Sequence, residues 1–408
     1  MARSIAQTPT PVAEPDTNAD TDADTKADAK QERLYFLDWL RIAAFALLVF
    51  YHVGMYYVSW EFHIKSPLAS TTLEPIMTLS SPWRMSLLFV VSGAATSLML
   101  MRSKAPGFMR QRSRRLLWPL LLGVLLLIPP QSYFEVVQQY GYSGGFIDFL
   151  ALYFTAYSGF CKANHCLILP TWNHLWFLPY LWLYTLLFWW LATRAPLALG
   201  RAVALLPGIL RGPRLLYLPL LVLALERWFL WPIFGSTHAL VDDLYNHSVY
   251  VLMFLFGAMT VRRPELFLRM TAMRWWALLV AVAGWAVIVT LGRWRDAALF
   301  SGLQPGVVYG LAWAGLQWCA IVAAIGFAQR HWNKDHAWRA PLTEAVFPVY
   351  LVHQTFILCG AMALLPLHWP VAVEGPVLIV CTFVASMVVW ALARRVDALR
   401  PWLGMPLR

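Results

Sequence analysis

Long apolar runs broken by short polar connections recur along the whole chain, and their length decides the fold class. A run of about 20 apolar residues crosses the hydrocarbon core of a bilayer as a helix. Ten such runs are legible, at 35–58, 82–101, 116–136, 174–192, 215–234, 247–261, 275–291, 305–328, 342–365 and 375–393. A transmembrane barrel would show short alternating segments instead. The pattern predicts an all-α polytopic membrane protein with about ten transmembrane helices, and an even number puts both termini on one side. The connection at 141–172 contains FIDFLALYFTAYSGF, too short and too interrupted for a full crossing, and reads as interfacial or re-entrant. No internal repeat pairs one half of the chain with the other.

Composition agrees and narrows the picture. Of 408 residues, 60% are hydrophobic and 13% charged, more apolar surface than a soluble fold can hide. The net charge of +11 raises the question of nucleic acid, but the basic residues are distributed by membrane side. Connections on the side of the termini hold 21 Lys and Arg, whereas the opposite ones hold Lys65, Lys162, Arg293 and Arg295. That asymmetry predicts cytoplasmic termini and accounts for the basic charge without a nucleic-acid partner. Residues 1–32, with three basic and seven acidic side chains, read as a disordered cytoplasmic tail without a signal-peptide core. Residues 33–393 form the membrane domain and 394–408 a short basic cytoplasmic tail. Five scattered cysteines make no disulfide framework or zinc site; Cys161 and Cys166 can pair if their compartment oxidises, and His165 between them leaves a metal site conceivable.

Ionisable residues inside apolar runs are costly and mark pathways or sites. The first run carries Asp38, Arg41 and His52. Arg41 and His52 are eleven residues apart, which is about 20° past three turns, so they share a helical stripe roughly 16 Å long. Asp38 lies within a turn of Arg41; it either belongs to the chemistry or forms an ordinary i,i+3 pair at the interface. Arg84 stands at the outer mouth of the second run, ahead of a Ser92 to Ala95 patch suited to close helix packing. The sequence FMRQRSRR supplies Arg112 and Arg115, either a cytoplasmic anchor or a bidentate phosphate site. His174 and Trp176 at the outer start of the fourth run are either an aromatic belt or the mouth of a sugar site. Glu226 and Arg227 are neighbours that cannot face one direction, so one faces a cavity. His353 follows Pro348 near mid-membrane, where it can converge on His52.

Taken together these stretches resemble a known family. The Arg41 and His52 spacing, FVVSG, the Arg112 and Arg115 pair before LLWP, HLWFLP and VYLVHQ are similar to the membrane-bound acyltransferase family 3. RLYFLD, WRM followed by FVVSG, NHLWFL and YLVHQ look most like its glucans biosynthesis protein C subgroup. The resemblance implies a multi-pass enzyme of the bacterial inner membrane. Such an enzyme moves an acyl group from cytoplasmic acyl-CoA to a hydroxyl of an extracytoplasmic carbohydrate; in the subgroup the group is succinyl and the acceptor an osmoregulated periplasmic glucan. FVVSGAATS departs from the more aromatic end of the family motif, and no soluble esterase-like domain follows Ala393.

On this reading His52 is the catalytic base or an acylated nucleophile, with Asp38 as its catalytic companion. Arg41, Arg112 and Arg115 hold the phosphates of the donor, acyl-CoA as succinyl-CoA or acetyl-CoA, and no cofactor is permanently bound. Arg84, His174, Trp176, Arg227 and His353 contact substrate, with Arg227 suited to a distal succinyl carboxylate. Two other classes remain in play. A transporter or flippase for a sugar or glycolipid would also carry charges inside a bundle, although the repeats common in transporters are missing. A non-catalytic scaffold fits poorly with so many ionisable groups at membrane depth.

Overall fold

In the computed structural model, which describes residues 34–102, 107–162, 165–293 and 305–406, nearly every apolar run is a helix. The longer helices are α1 (Tyr35–Tyr57), α2 (Arg84–Arg102), α3 (Phe108–Tyr140), α4 (Phe146–Phe154), α5 (Phe177–Arg194) and α6 (Pro196–Ile209). They continue with α7 (Arg214–Phe229), α8 (Leu244–Thr260), α9 (Pro264–Arg293), α10 (Pro305–Trp332), α11 (Arg339–Leu364) and α12 (Val371–Arg395). Among the described residues, strands are confined to one hairpin, Cys161–Lys162 with His165–Cys166, closed by a Cys161–Cys166 disulfide. The tail read at 1–32, the Lys104 and Arg295 positions, Arg408 and the side chain of His165 lie outside the described residues.

Nine helices among the described residues are long and apolar enough to cross a membrane. The run at 247–261 is the exception to the ten expected: it forms α8, whose 17 residues rise only about 26 Å. Two other differences follow from helix propensity overriding charge. The Arg-rich stretch after the second run is not a connection but the first turns of α3, so Arg112 and Arg115 sit on a helix. The connection at 193–214 contains a helix of its own, α6. As expected from its length, FIDFLALYF forms the nine-residue α4, with Phe149 and Tyr153 buried.

Ion pairs fix which ends meet. Asp38 at the start of α1 pairs with Arg339 at the start of α11 at 2.7 Å. Glu344 on α11 receives Arg394 and Arg400, each at 3.3 Å, from the end of α12 and the turn beyond it. The start of the first span and the end of the last therefore share one face of the bundle. At the opposite face the connection after α1 is laced to the end of α3: His63 contacts Glu135 at 2.6 Å, and Gln139 donates to the carbonyls of Phe62 and His63. Lys65 closes α1 by donating to the carbonyls of Met55 and Val58, and burial lowers its ammonium pKa to about 8.

Packing then locks the helices that carry the polar residues. Val49, Val53 and Tyr56 of α1 bury against Val349, Ile357 and Leu358 of α11 and Leu378 of α12. Helices α2 and α8 cross backbone to backbone. A Cβ on Gly93 would lie 1.9 Å from the Phe254 carbonyl oxygen, and one on Gly257 1.9 Å from that of Val90. The small-residue patch of the second run is thus a helix-crossing point. Because the obstacle is backbone, Gly257→Ala must push the two helices apart at about 1–3 kcal/mol. It should lower the thermal midpoint of the purified protein in detergent, while Gly200→Ala on α6, where nothing lies within 4 Å, should leave it unchanged.

Candidate functional site

Several helix ends converge on one cavity of about 330 Å³ at the face opposite the start of α1. The last turns of α1 contribute Tyr51 and His52, and the start of α2 contributes Arg84 and Met85. His174 and Trp176 come from the 3₁₀ turn before α5, Arg227 from the end of α7, and Tyr245, Asn246 and Tyr250 from α8. Gln317 and Trp313 of α10 and Tyr350 of α11 complete the wall. No Asp or Glu lines it among the described residues, and two arginines (Arg84, Arg227) and three histidines (His52, His174, His238) make its basic lining.

The hydrogen bonds assign protons to the imidazoles. The Tyr350 carbonyl can only accept, so His353 Nδ1, 2.7 Å away, carries a proton and donates it. A neutral His353 then presents its Nε2 lone pair, and His52 Nδ1 at 2.9 Å must be the donor. The rings are nearly coplanar, 6° apart with centroids at 5.0 Å, as an in-plane N–H to N bond demands. One nitrogen is left, His52 Nε2: unprotonated and on a ring that lines the cavity. The relay of carbonyl, His353 and His52 orients the imidazole and stabilises the cation formed when Nε2 takes up a proton, a role that carboxylates fill elsewhere. Convergence of His52 and His353, expected from sequence, is thus direct contact.

His174 is fixed beside this pair. Its Nε2 donates to the Leu351 carbonyl at 3.2 Å, its own carbonyl accepts from the Tyr350 hydroxyl at 2.8 Å, and its ring meets His353 edge to face at 5.0 Å. Behind both histidines stands Gln131 of α3, fully buried. Its Oε1 accepts from Asn173 and Gln354, each at 3.2 Å, and its Nε2 donates to Thr355 Oγ1 at 2.8 Å and the Leu127 carbonyl at 3.1 Å. Asn173 precedes His174 and Gln354 follows His353, so one amide ties together the backbones that bear two of the histidines. The acceptor at Leu127 ends a π-helical turn, Gly123–Leu127, in the middle of α3. Such turns release carbonyls from the regular ladder; here Gln131 and Thr355 take up the one at Leu127.

Arg84 is buried, lies over the Tyr51 ring at 3.4 Å, and has no hydrogen-bond partner for Nε or Nη1. Arg227 is also buried and sits among Trp313, Trp231 and Tyr309, at 4.1, 4.7 and 5.3 Å from their centres, donating to Tyr245. Of the adjacent pair it is Arg227 that faces the cavity; Glu226 is half-buried and does not line it. Trp176 lines the cavity too, with its ring packed near His238 at 4.1 Å and Tyr250 at 5.5 Å. His238 belongs to a connection held by buried Asp243, which accepts from the Thr237 and His238 amides, Asn246 and the Tyr180 hydroxyl.

Asp38, Arg41, Arg112 and Arg115 do not reach this cavity. Asp38 bonds Arg339 and pairs with Arg41 at 3.6 Å, the interface reading of its i,i+3 spacing. It lies 14 residues before His52, roughly 21 Å along the helix, so the structure does not make it the histidine's companion. Arg41, Arg112 and Arg115 form a separate group at the chain-terminal face, close enough for their charges to act on one another. Arg112 donates to Thr96 at 3.5 Å, while the Nε atoms of Arg41 and Arg112 are buried without partners.

Sequence reasoning missed Gln131, Gln317, Asn246 and Tyr250. Gln131 and Gln317 carried a usable signal, since uncharged polar side chains in apolar runs are also expensive there; Asn246 lies just before a run, and Tyr250 is one of 16 tyrosines, so neither stood out. Replacing Gln131 by Leu strips partners from Asn173 and Gln354, at about 1–3 kcal/mol for each unsatisfied group. The expected result is faster hydrogen–deuterium exchange across 172–175 and 350–355, with the α9 amides unaffected.

Comparison with known proteins agrees with this architecture. A family model described as an acyltransferase domain, acyltransferase family 3, matches residues 34–395. Curated relatives called glucans biosynthesis protein C, from Salmonella paratyphi B, Salmonella dublin and Salmonella enteritidis, are 25% identical over 248 residues. Those 248 residues are 59% of this chain and 61% of each relative, so the match spans less than two thirds of the relatives' length. No solved structure matches. With its helical membrane architecture and a match running from the first span to the last, the chain belongs to acyltransferase family 3.

Proposed function

We propose that this protein is an integral-membrane O-acyltransferase that moves an acyl group from cytoplasmic acyl-CoA to a hydroxyl of an extracytoplasmic carbohydrate. The observation that carries the reading is the hydrogen-bonded row from the Tyr350 carbonyl through His353 to His52, whose ring lines a cavity with two buried arginines and, among the described residues, no carboxylate. A lone pair there can take the proton of a hydroxyl as it attacks a thioester, and His353 steadies the resulting imidazolium. The cationic wall favours the negative charge that builds on the acyl group.

Direction across the membrane follows from the charge count. The face shared by the start of α1 and the end of α12 is the arginine-rich one, which makes it cytoplasmic. Arg41, Arg112 and Arg115 on that face are then the site for the phosphates of CoA. The cavity opens toward the periplasm of a bacterial inner membrane, on the side of the disulfide hairpin, where an oxidising compartment suits the bond. The partners on this reading are acyl-CoA, the lipid bilayer and a carbohydrate acceptor. The relatives' name points to a glucan, and a succinyl donor fits Arg227, whose caged guanidinium matches a carboxylate at the far end of the acyl chain.

Purified protein in lipid nanodiscs, given succinyl-CoA and glucose oligosaccharides, should release CoA and form a succinyl ester. His52→Ala should lower that release about 10²–10⁴-fold, the contribution of a general base. Sugar flux into vesicles without CoA consumption would instead identify a transporter. Arg227→Leu should cost succinyl transfer at least about tenfold, as expected for a lost hydrogen bond to a charged group, while sparing acetyl transfer; an unchanged succinyl rate in a normally inserted variant would remove Arg227 from the site.

A further inference from the structure

The cavity holds two buried guanidinium groups and no carboxylate to answer them among the described residues. A buried charge without a counter-ion is expensive, and it persists where a ligand or reaction supplies the opposite charge. The two arginines are not equivalent. Arg227 has three aromatic rings and the Tyr245 hydroxyl around it. Arg84 rests on the face of Tyr51, with Nε and Nη1 unpartnered. The Tyr51 and His52 rings lie 6.1 Å apart and line the same cavity as Arg84, whose guanidinium is 3.4 Å above the Tyr51 ring and whose charge acts on His52. Arg84 also opens α2, and the positive end of that 19-residue helix lies at the same wall.

We propose that Arg84 is a catalytic residue that stabilises the oxyanion formed on the thioester carbonyl oxygen during acyl transfer. The assignment rests on the acyltransferase reading above. The hydroxyl oxygen bonds to the carbonyl carbon as its proton passes to His52 Nε2, and the C=O π pair moves onto oxygen beside Arg84. Collapse restores the carbonyl and breaks the C–S bond with its electron pair on sulfur. The sulfur takes the proton from His52, leaving an ester and a free thiol. If His52 Nε2 itself attacks first, the same oxyanion arises at the same carbon, so the role of Arg84 does not depend on that choice.

The test compares Arg84→Met and Arg84→Lys with the unaltered protein in nanodiscs, reading CoA release from succinyl-CoA and from acetyl-CoA. An oxyanion role predicts that Arg84→Met lowers kcat about 10²–10³-fold, with KM within about threefold of the original. It also predicts the same factor for both donors, because the oxyanion is common to them. Arg84→Lys keeps the buried positive charge but not the planar fork, and should lose about tenfold or more in kcat. Elution as a single species and unchanged binding of desulfo-CoA separate this loss from misfolding. Unchanged kcat, a raised KM at constant kcat, or a loss confined to succinyl-CoA would overturn the proposal, the last by making Arg84 a carboxylate binder. Absence of CoA release by the unaltered protein with either donor would instead remove the acyltransferase reading, and this role with it.

Discussion

The site depends on a hydrogen bond between two neutral imidazoles, His52 and His353, anchored by the Tyr350 carbonyl. Each donor in that row is directed by an acceptor that cannot do otherwise, and the direction ends in one available lone pair. A carbonyl at the root has a consequence a carboxylate would not. It brings no negative charge into the membrane, so the row costs less to bury and leaves the surrounding arginines free to answer charge on a ligand.

Much of the remaining structure holds that row in place. The apolar contact of α1 with α11 sets the separation of the two histidines, and Gln131 fixes the backbone on either side. The π turn in α3 supplies one of the acceptors that Gln131 and Thr355 need. The close crossing of α2 and α8 sets the distance between Arg84 and the Tyr245 to Tyr250 wall. Packing thus sets distance while buried amides set orientation, a division that suits a solvent in which apolar contact alone specifies little.

The sequence announced the fold because bilayer thickness sets a minimum length that most of the apolar runs meet, and it announced His52, Arg84, His174, Arg227 and His353 because charge and imidazole stand out in apolar runs. It could not say which charges meet across helices. Asp38 and His52 lie on one helix and looked related, yet Asp38 is committed to Arg339, 301 residues away. Trp176 stood out as an aromatic at a span's outer start, but nothing in the sequence showed that rings from α8 and the connection before it pack near it. Helix boundaries failed where arginines run straight into an apolar stretch, since nothing in FMRQRSRR breaks a helix and α3 starts before the charges.

The shortness of α8 reaches beyond the helix itself. At about 26 Å it falls short of a hydrocarbon core of about 30 Å. Lipid meeting such a span thins locally or lets headgroups sink along it. Thinning of that kind would border the helix that carries Tyr245, Asn246 and Tyr250 of the cavity wall. On the acyltransferase reading, a hydrophilic acceptor would then reach that wall across a shallow rim instead of a deep shaft.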